Sequence, residues 1–202
     1  MAKASWLTTS PNSGNGNGSI QNTASVHTGR NTRTTTVTVT GVGVLKPATY
    51  KVTQKAKPEF VSFNDGAEMS APKAGGPLTV TGKSNSAKLN YSFVGDAHGV
   101  DVPANYTANG LSTRNNVAVN GDPGAAAEYD SSVSLQLPSN DTVGEVERVL
   151  KVTTAGGQSA QITIKQAAGD AFIRVTPTEI TINADGSAVS VSVESNTQWT
   201  VE

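Results

Sequence analysis

The sequence predicts an all-β protein built from two-sheet sandwiches, and three observations carry that expectation. Short alternating segments such as "TVTVTG" and "VLKVTT" recur along the 202 residues, the pattern of strands that bury one face. The 20 glycines and 9 prolines, with Ser, Thr and Asn throughout, supply turns between short strands. No stretch of 12 residues places apolar side chains at helical spacing; the nearest, "GEVERVLKVTT", reads better as a strand. The length suits one large or two ordinary domains.

Taken along the chain, the strands repeat. "YKVTQKAKPEFVSF" (Tyr50–Phe63) returns 112 residues later as "ITIKQAAGDAFIRV" (Ile162–Val175). Tyr50 matches Ile162, Val52 matches Ile164, Gln54 matches Gln166, Phe60 matches Phe172 and Phe63 matches Val175. Upstream, Val37 and Val39 match Leu150 and Val152. Downstream, "GGPLTVTGKSNS" matches "DGSAVSVSVESNT", with Leu78 and Val80 opposite Val189 and Val191. Apolar positions kept at period two in both copies are what a two-sheet sandwich requires, and a long internal repeat fixes organisation better than a single motif.

The repeat divides the chain into residues 1–57, holding the later strands of one module; 58–170, a complete module; and 171–202, opening strands only. The first piece offers Trp6, Leu7, Ile20, Val37, Val39, Tyr50 and Val52 as an acceptor face. The last offers Phe172, Ile173, Val175, Ile180, Ile182, Val189, Val191, Val193 and Trp199 as donors. Each such side chain contributes roughly 1.5–3 kcal/mol when fully buried, so the halves are expected to pair. Two geometries do this. The chain folds back and completes itself, or the donor strands complete a neighbouring copy by donor-strand complementation. The connectors Lys55–Glu59 and Ala167–Ala171 are five residues each and span at most roughly 17–18 Å. That short reach favours exchange, a heterologous contact giving a ring or an open chain.

Read head to tail, the two ends resemble one module. "VTPTEITINADGSAVSVSVESNTQW", "ASWLTTSPNSGNGNG", "HTGRNTRTTTVTVTG" and the terminal "VTQ" are similar to BACON modules, the immunoglobulin-like domains found beside carbohydrate-active enzymes of gut Bacteroidetes and in their phages. The resemblance implies immunoglobulin-like sandwiches and points to a virion protein of a crAss-like phage. The expected role is an auxiliary or decoration protein of the capsid, with a tail or fibre component as a close variant. The expected partners are further copies of itself and the major capsid or other virion proteins, with glycans or mucus at exposed loops. A carbohydrate- or mucin-binding module is the competing reading, and a fragment of a longer tandem array is a third.

Composition narrows the chemistry. The formal net charge is −1 without a basic cluster, so nucleic-acid binding lacks its electrostatic footprint. No apolar run approaches the roughly 18–20 residues that span a bilayer, and "MAKASWLTTSPN" carries no secretory core. A protein made in the host cytoplasm and located in the virion is expected. With no cysteine, disulfides and thiol catalysis are excluded.

Catalytic, cofactor and metal sites are not expected. "DAHGVD" puts Asp96, His98 and Asp101 together, a set of hard-cation donors that reads more readily as a solvated turn. Glu145 and Glu147 suit a solvent-facing strand better than a glycosidase pair. "PNSGNGNGS" lacks the Lys-Ser/Thr of a phosphate loop and reads as an interstrand loop. Trp6 and Trp199 read as core anchors rather than a sugar platform. The central module is 22 residues longer than its counterpart, within Val94–Asp130. That insertion is either a partner-contact loop or an extra hairpin, with Asn120-Gly121 as a suitable primed turn.

Overall fold

The computed structural model describes residues 2–202. Among these residues all regular elements are β-strands, apart from one 3₁₀ turn at Pro123–Ala125.

The centre of the chain is a two-sheet sandwich. Its strands are β5 (Val61–Phe63), β6 (Glu68–Ala71), β7 (Gly76–Ser84), β8 (Leu89–Val94), β9 (Asn105–Ala108), β10 (Leu111–Arg114), β11 (Tyr129–Leu137), β12 (Val146–Thr154) and β13 (Ser159–Gln166). One sheet runs β10-β9-β11-β7-β5 and the other β6-β13-β12-β8. Every pairing is antiparallel except β6 with β13.

The alternation in the sequence produces this layering directly. Along β11, Tyr129, Ser131, Val133, Leu135 and Leu137 are buried while the residues between them face outward. Leu150, Val152, Ile162 and Ile164 come from the opposite sheet and are fully buried. Interdigitating inner faces form a dry core between stacked sheets.

Tyr91 and Tyr129 carry polar ends into this core. Tyr91 donates to the Ser131 hydroxyl at 3.2 Å and Tyr129 to the Ser86 carbonyl at 2.8 Å. Burial pushes the Tyr91 phenol up to about 12 and raises Tyr129 as well. The neutral form is therefore favoured in the folded state. The stability contributed by Tyr91, roughly 2–3 kcal/mol, is fully present below pH 10 and lost as pH rises toward 12. A stability titration followed by tyrosinate absorbance is expected to show cooperative alkaline unfolding in that window, with Tyr91→Phe moving it upward.

Flanking the sandwich are three two-stranded units. Residues 2–57 form the hairpins β1 (Leu7–Ser10)/β2 (Gln21–Ala24) and β3 (Arg33–Val39)/β4 (Ala48–Gln54). Residues 171–202 hold β14 (Ile173–Thr176) paired with β15 (Ser192–Ser195).

The insertion builds a hairpin at a different place from the one its sequence suggests. The turn is Asn109-Gly110, both at positive φ, between β9 and β10, and the hairpin extends the β11 edge of the sheet. Asn120-Gly121 instead leads into the 3₁₀ turn. Asp122 there has φ 28° and Pro123 follows, a conformation that ends strand pairing rather than continuing it.

Candidate assembly interface

Two of the three flanking units copy parts of the central sandwich. In β3/β4, Val37 pairs with Tyr50, as Leu150 pairs with Ile162 in β12/β13. In β14/β15, Ile173 pairs with Ser195 and Val175 with Val193, as Val61 pairs with Ser84 and Phe63 with Gly82. The registers agree, but the central strands have second partners that the copies lack. β7 also pairs with β11, β12 with β8 and β13 with β6; β15, β3 and β4 pair on one edge only.

Among the described residues, no strand pairing and no hydrogen bond joins residues 171–202 to residues 2–57. The fold-back geometry is therefore absent from the single chain. Of the donor residues, Ile173, Val175, Ile180, Ile182, Val189, Val191 and Trp199 are exposed, Ile182 to 56% and Trp199 to 50%, while Phe172 and Val193 are half-buried. On the acceptor side Leu7 and Val37 are buried, Ile20 and Val39 exposed, and Tyr50 and Val52 half-buried. Trp6 is half-buried with the Arg33 guanidinium 4.7 Å from its ring centre. One face of that indole is thus occupied by the chain's own cation.

The pieces meet the central sandwich through two joints that share a hydrogen-bond set. At the first, the fully buried Asn85 donates to the carbonyls of Thr28 (3.1 Å) and Pro58 (3.2 Å) and accepts from the Phe60 amide (3.0 Å). Ser84 donates to the Phe60 carbonyl at 2.7 Å, and the Lys57 amide to Gly29 at 3.0 Å. At the second, Asn196 donates to the carbonyls of Asp141 (2.8 Å) and Asp170 (2.9 Å) and accepts from the Phe172 amide (3.0 Å). Ser195 donates to the Phe172 carbonyl at 3.0 Å, and the Gly169 amide to Thr142 at 2.6 Å. A side-chain amide, buried at Asn85 and half-buried at Asn196, that satisfies backbone groups on both sides of a connector fixes what strand pairing leaves free.

The repeated glutamine of "VTQ" locks the strand ends beside each joint. Gln54 donates to Ser25 (2.9 Å) and accepts from Arg33 (2.8 Å). Gln166 donates to Pro138 (2.8 Å) and accepts from Arg148 (2.8 Å). The Ser-Asn pairs at 84–85 and 195–196 lie inside the matched repeat segments; their signal is a polar dipeptide kept at the end of an apolar strand.

The insertion contacts the first joint. The Arg30 and Asn31 amides donate to Gly124 (2.8 Å) and Ala125 (3.0 Å). Arg30 pairs with Asp122, its Nη1 donating at 2.7 Å, and the Glu128 amide donates to the Thr28 hydroxyl at 3.0 Å. A Cβ on Gly29 would stand 2.4 Å from the Ala126 carbonyl carbon, so only glycine admits this approach. Asn85→Ala would orphan several buried groups, each costing about 1–3 kcal/mol. The expected result is faster tryptic cleavage after Lys55, measured against an unchanged rate within the sandwich.

The other candidate groups stay apart. Asp96 accepts the His98 amide at 2.7 Å and its carboxylate stands 3.5 Å from the same ring, an exposed self-closed turn. Among the described residues no three His, Asp or Glu side chains gather as a metal site. Glu147 lies 3.9 Å from Lys165 on an exposed strand face. Among the described residues no helix is long and apolar enough to cross a membrane.

No curated protein matches the chain. Among solved structures, a Bacteroides ovatus GH5 xyloglucanase in complex with a XXXG heptasaccharide aligns at 13% identity and TM-score 0.33. The alignment covers 54% of this chain and 19% of that one, a likeness too slight to carry an argument. A family model described as the viral BACON domain matches residues 1–57. The segment that contributes β1 to β4 is therefore a BACON-type module.

Proposed function

We propose that this chain is a non-enzymatic structural component of a phage particle, an auxiliary or decoration protein of the capsid that links neighbouring copies by strand exchange. The observation that supports it most is the pair of complementary, uncovered apolar faces at 171–202 and 2–57, which do not meet within one chain. The BACON-type module supports the phage setting.

The central sandwich supplies the pairings expected in the exchanged form. β6 runs parallel to β13 with Met69 opposite Ile164 and Ala71 opposite Gln166. By the repeat, Ile180 of one copy lies opposite Val52 of the next, and Ile182 opposite Gln54. β11 pairs with β7 through Val133 and Val80, and by the same repeat Ile20 of one copy faces Val191 of the other in the exchanged form. Each of these contacts buries apolar surface left in water by the single chain.

Light scattering is expected to give a mass above the 20.7 kDa of one chain at micromolar concentration. A monodisperse single-chain mass would sink the exchange. Antibody labelling of purified particles is expected to decorate heads; label on tails alone would replace the capsid role with a fibre role.

A further inference from the structure

The two joints differ in what covers them: the first is occupied by the insertion, and the second is open. A cleft of about 270 Å³ lies there, lined among others by Lys73, Asn140, Asp141, Asp170, Phe172 and Asn196. Asn196, Asp141 and Asp170 are the counterparts of Asn85, Thr28 and Pro58 by shared hydrogen bonds. At the first joint the corresponding space is filled by Asp122–Glu128, the segment immediately before β11.

We infer that the cleft is the docking site for the Thr9–Asn15 loop of a second copy of this chain. The inference rests on the strand-exchange reading and adds a contact to it. β2 stands in the place of the second half of β11, so the residues before β2 stand in the place of Asp122–Glu128. Pro11 and Pro123 fall within one position of each other in that alignment. Residues 10–15 are exposed and Thr9 is half-buried, and Gly14 has nothing within contact distance of where a Cβ would sit. Thr9 and Ser10 pair with Asn22 and Gln21 of β2, and among the described residues 11–15 make no hydrogen bond in the single chain beyond Thr9–Asn12.

At the first joint the receiving strand end carries Gly29 against the Ala126 backbone. At the second, Thr142 occupies the Gly29 position, so the docked loop stands farther from that strand end than Ala126 does from Gly29. Asp141 in the place of Thr28 offers a carboxylate oxygen to the Asn15 amide, as the Thr28 hydroxyl accepts from Glu128.

The chain has no cysteine, so single-cysteine variants report this contact cleanly. Asp141→Cys and Asn15→Cys both alter exposed residues. A length-tagged Asp141→Cys chain mixed with an Asn15→Cys chain is expected to form the mixed disulfide several-fold more than a control pairing Asn15→Cys with Leu111→Cys, where Leu111 is exposed on the outermost strand. An oligomer whose Asn15 crosslinks no better to position 141 than to 111 would overturn the loop docking and leave strand exchange standing. A mixture that stays single-chain by light scattering would overturn both.

Discussion

Leu150→Ala is expected to lower the stability of the central sandwich by about 2–5 kcal/mol, measured as a shift in the denaturant midpoint at unchanged slope. Leu150 lies mid-β12, fully buried, with Phe93 on one side and Ile162 on the other. Both neighbouring strands hold their backbone through ladders of several residues, so they cannot collapse into the space left behind. The loss therefore includes the transfer term and the unfilled volume together. Val37, its counterpart in the BACON-type module, is buried as well but has a strand on one side only. Val37→Ala is expected to cost less in the single chain, and the difference between the two sites should shrink in assembled material.

A carboxylate placed on the donor strands should act in the opposite way, leaving the fold alone and removing the assembly. In Val191→Asp combined with Ile182→Asp, both positions are exposed in the single chain, so the melting curve of the central sandwich is expected to remain unchanged. In the exchanged form the same carboxylates would be desolvated without a partner, at a cost of several kcal/mol. Light scattering is expected to show the single-chain mass for this variant. The exposed Leu111→Asp on the outer edge strand should assemble as the parent does. An unchanged oligomer in the double variant would mean that the uncovered faces are not what holds copies together.

The strand architecture was legible because apolar side chains at period two have one physical explanation on this scale, and the repeat doubled every instance of it. Val37, Leu150, Tyr50 and Ile162 could be aligned by sequence and prove to pair in matching registers. The joints were harder to read. Asn85 and Asn196 work through backbone carbonyls far away in the chain, and a sequence records the identity of a side chain but not which carbonyls approach it. The insertion misled for a related reason. Asn109-Gly110 and Asn120-Gly121 carry the same dipeptide preference, but the second is followed by Asp122-Pro123, which starts a 3₁₀ turn held by the Arg30 and Asn31 amides. Arg30 and Asp122 are joined across 92 positions, beyond the reach of any spacing rule.

Reuse of one hydrogen-bond set at both connectors has a geometric consequence. If Asn85 and Asn196 hold adjoining modules at the same tilt, every advance along an assembled series applies one rotation and one translation, whether the step lies inside a chain or between chains. Such a series is a screw whose strongest layer lines follow the spacing of a single module, with weaker ones of the whole subunit between them. A change of tilt at Asn85 alone would then strengthen the whole-subunit lines without breaking continuity.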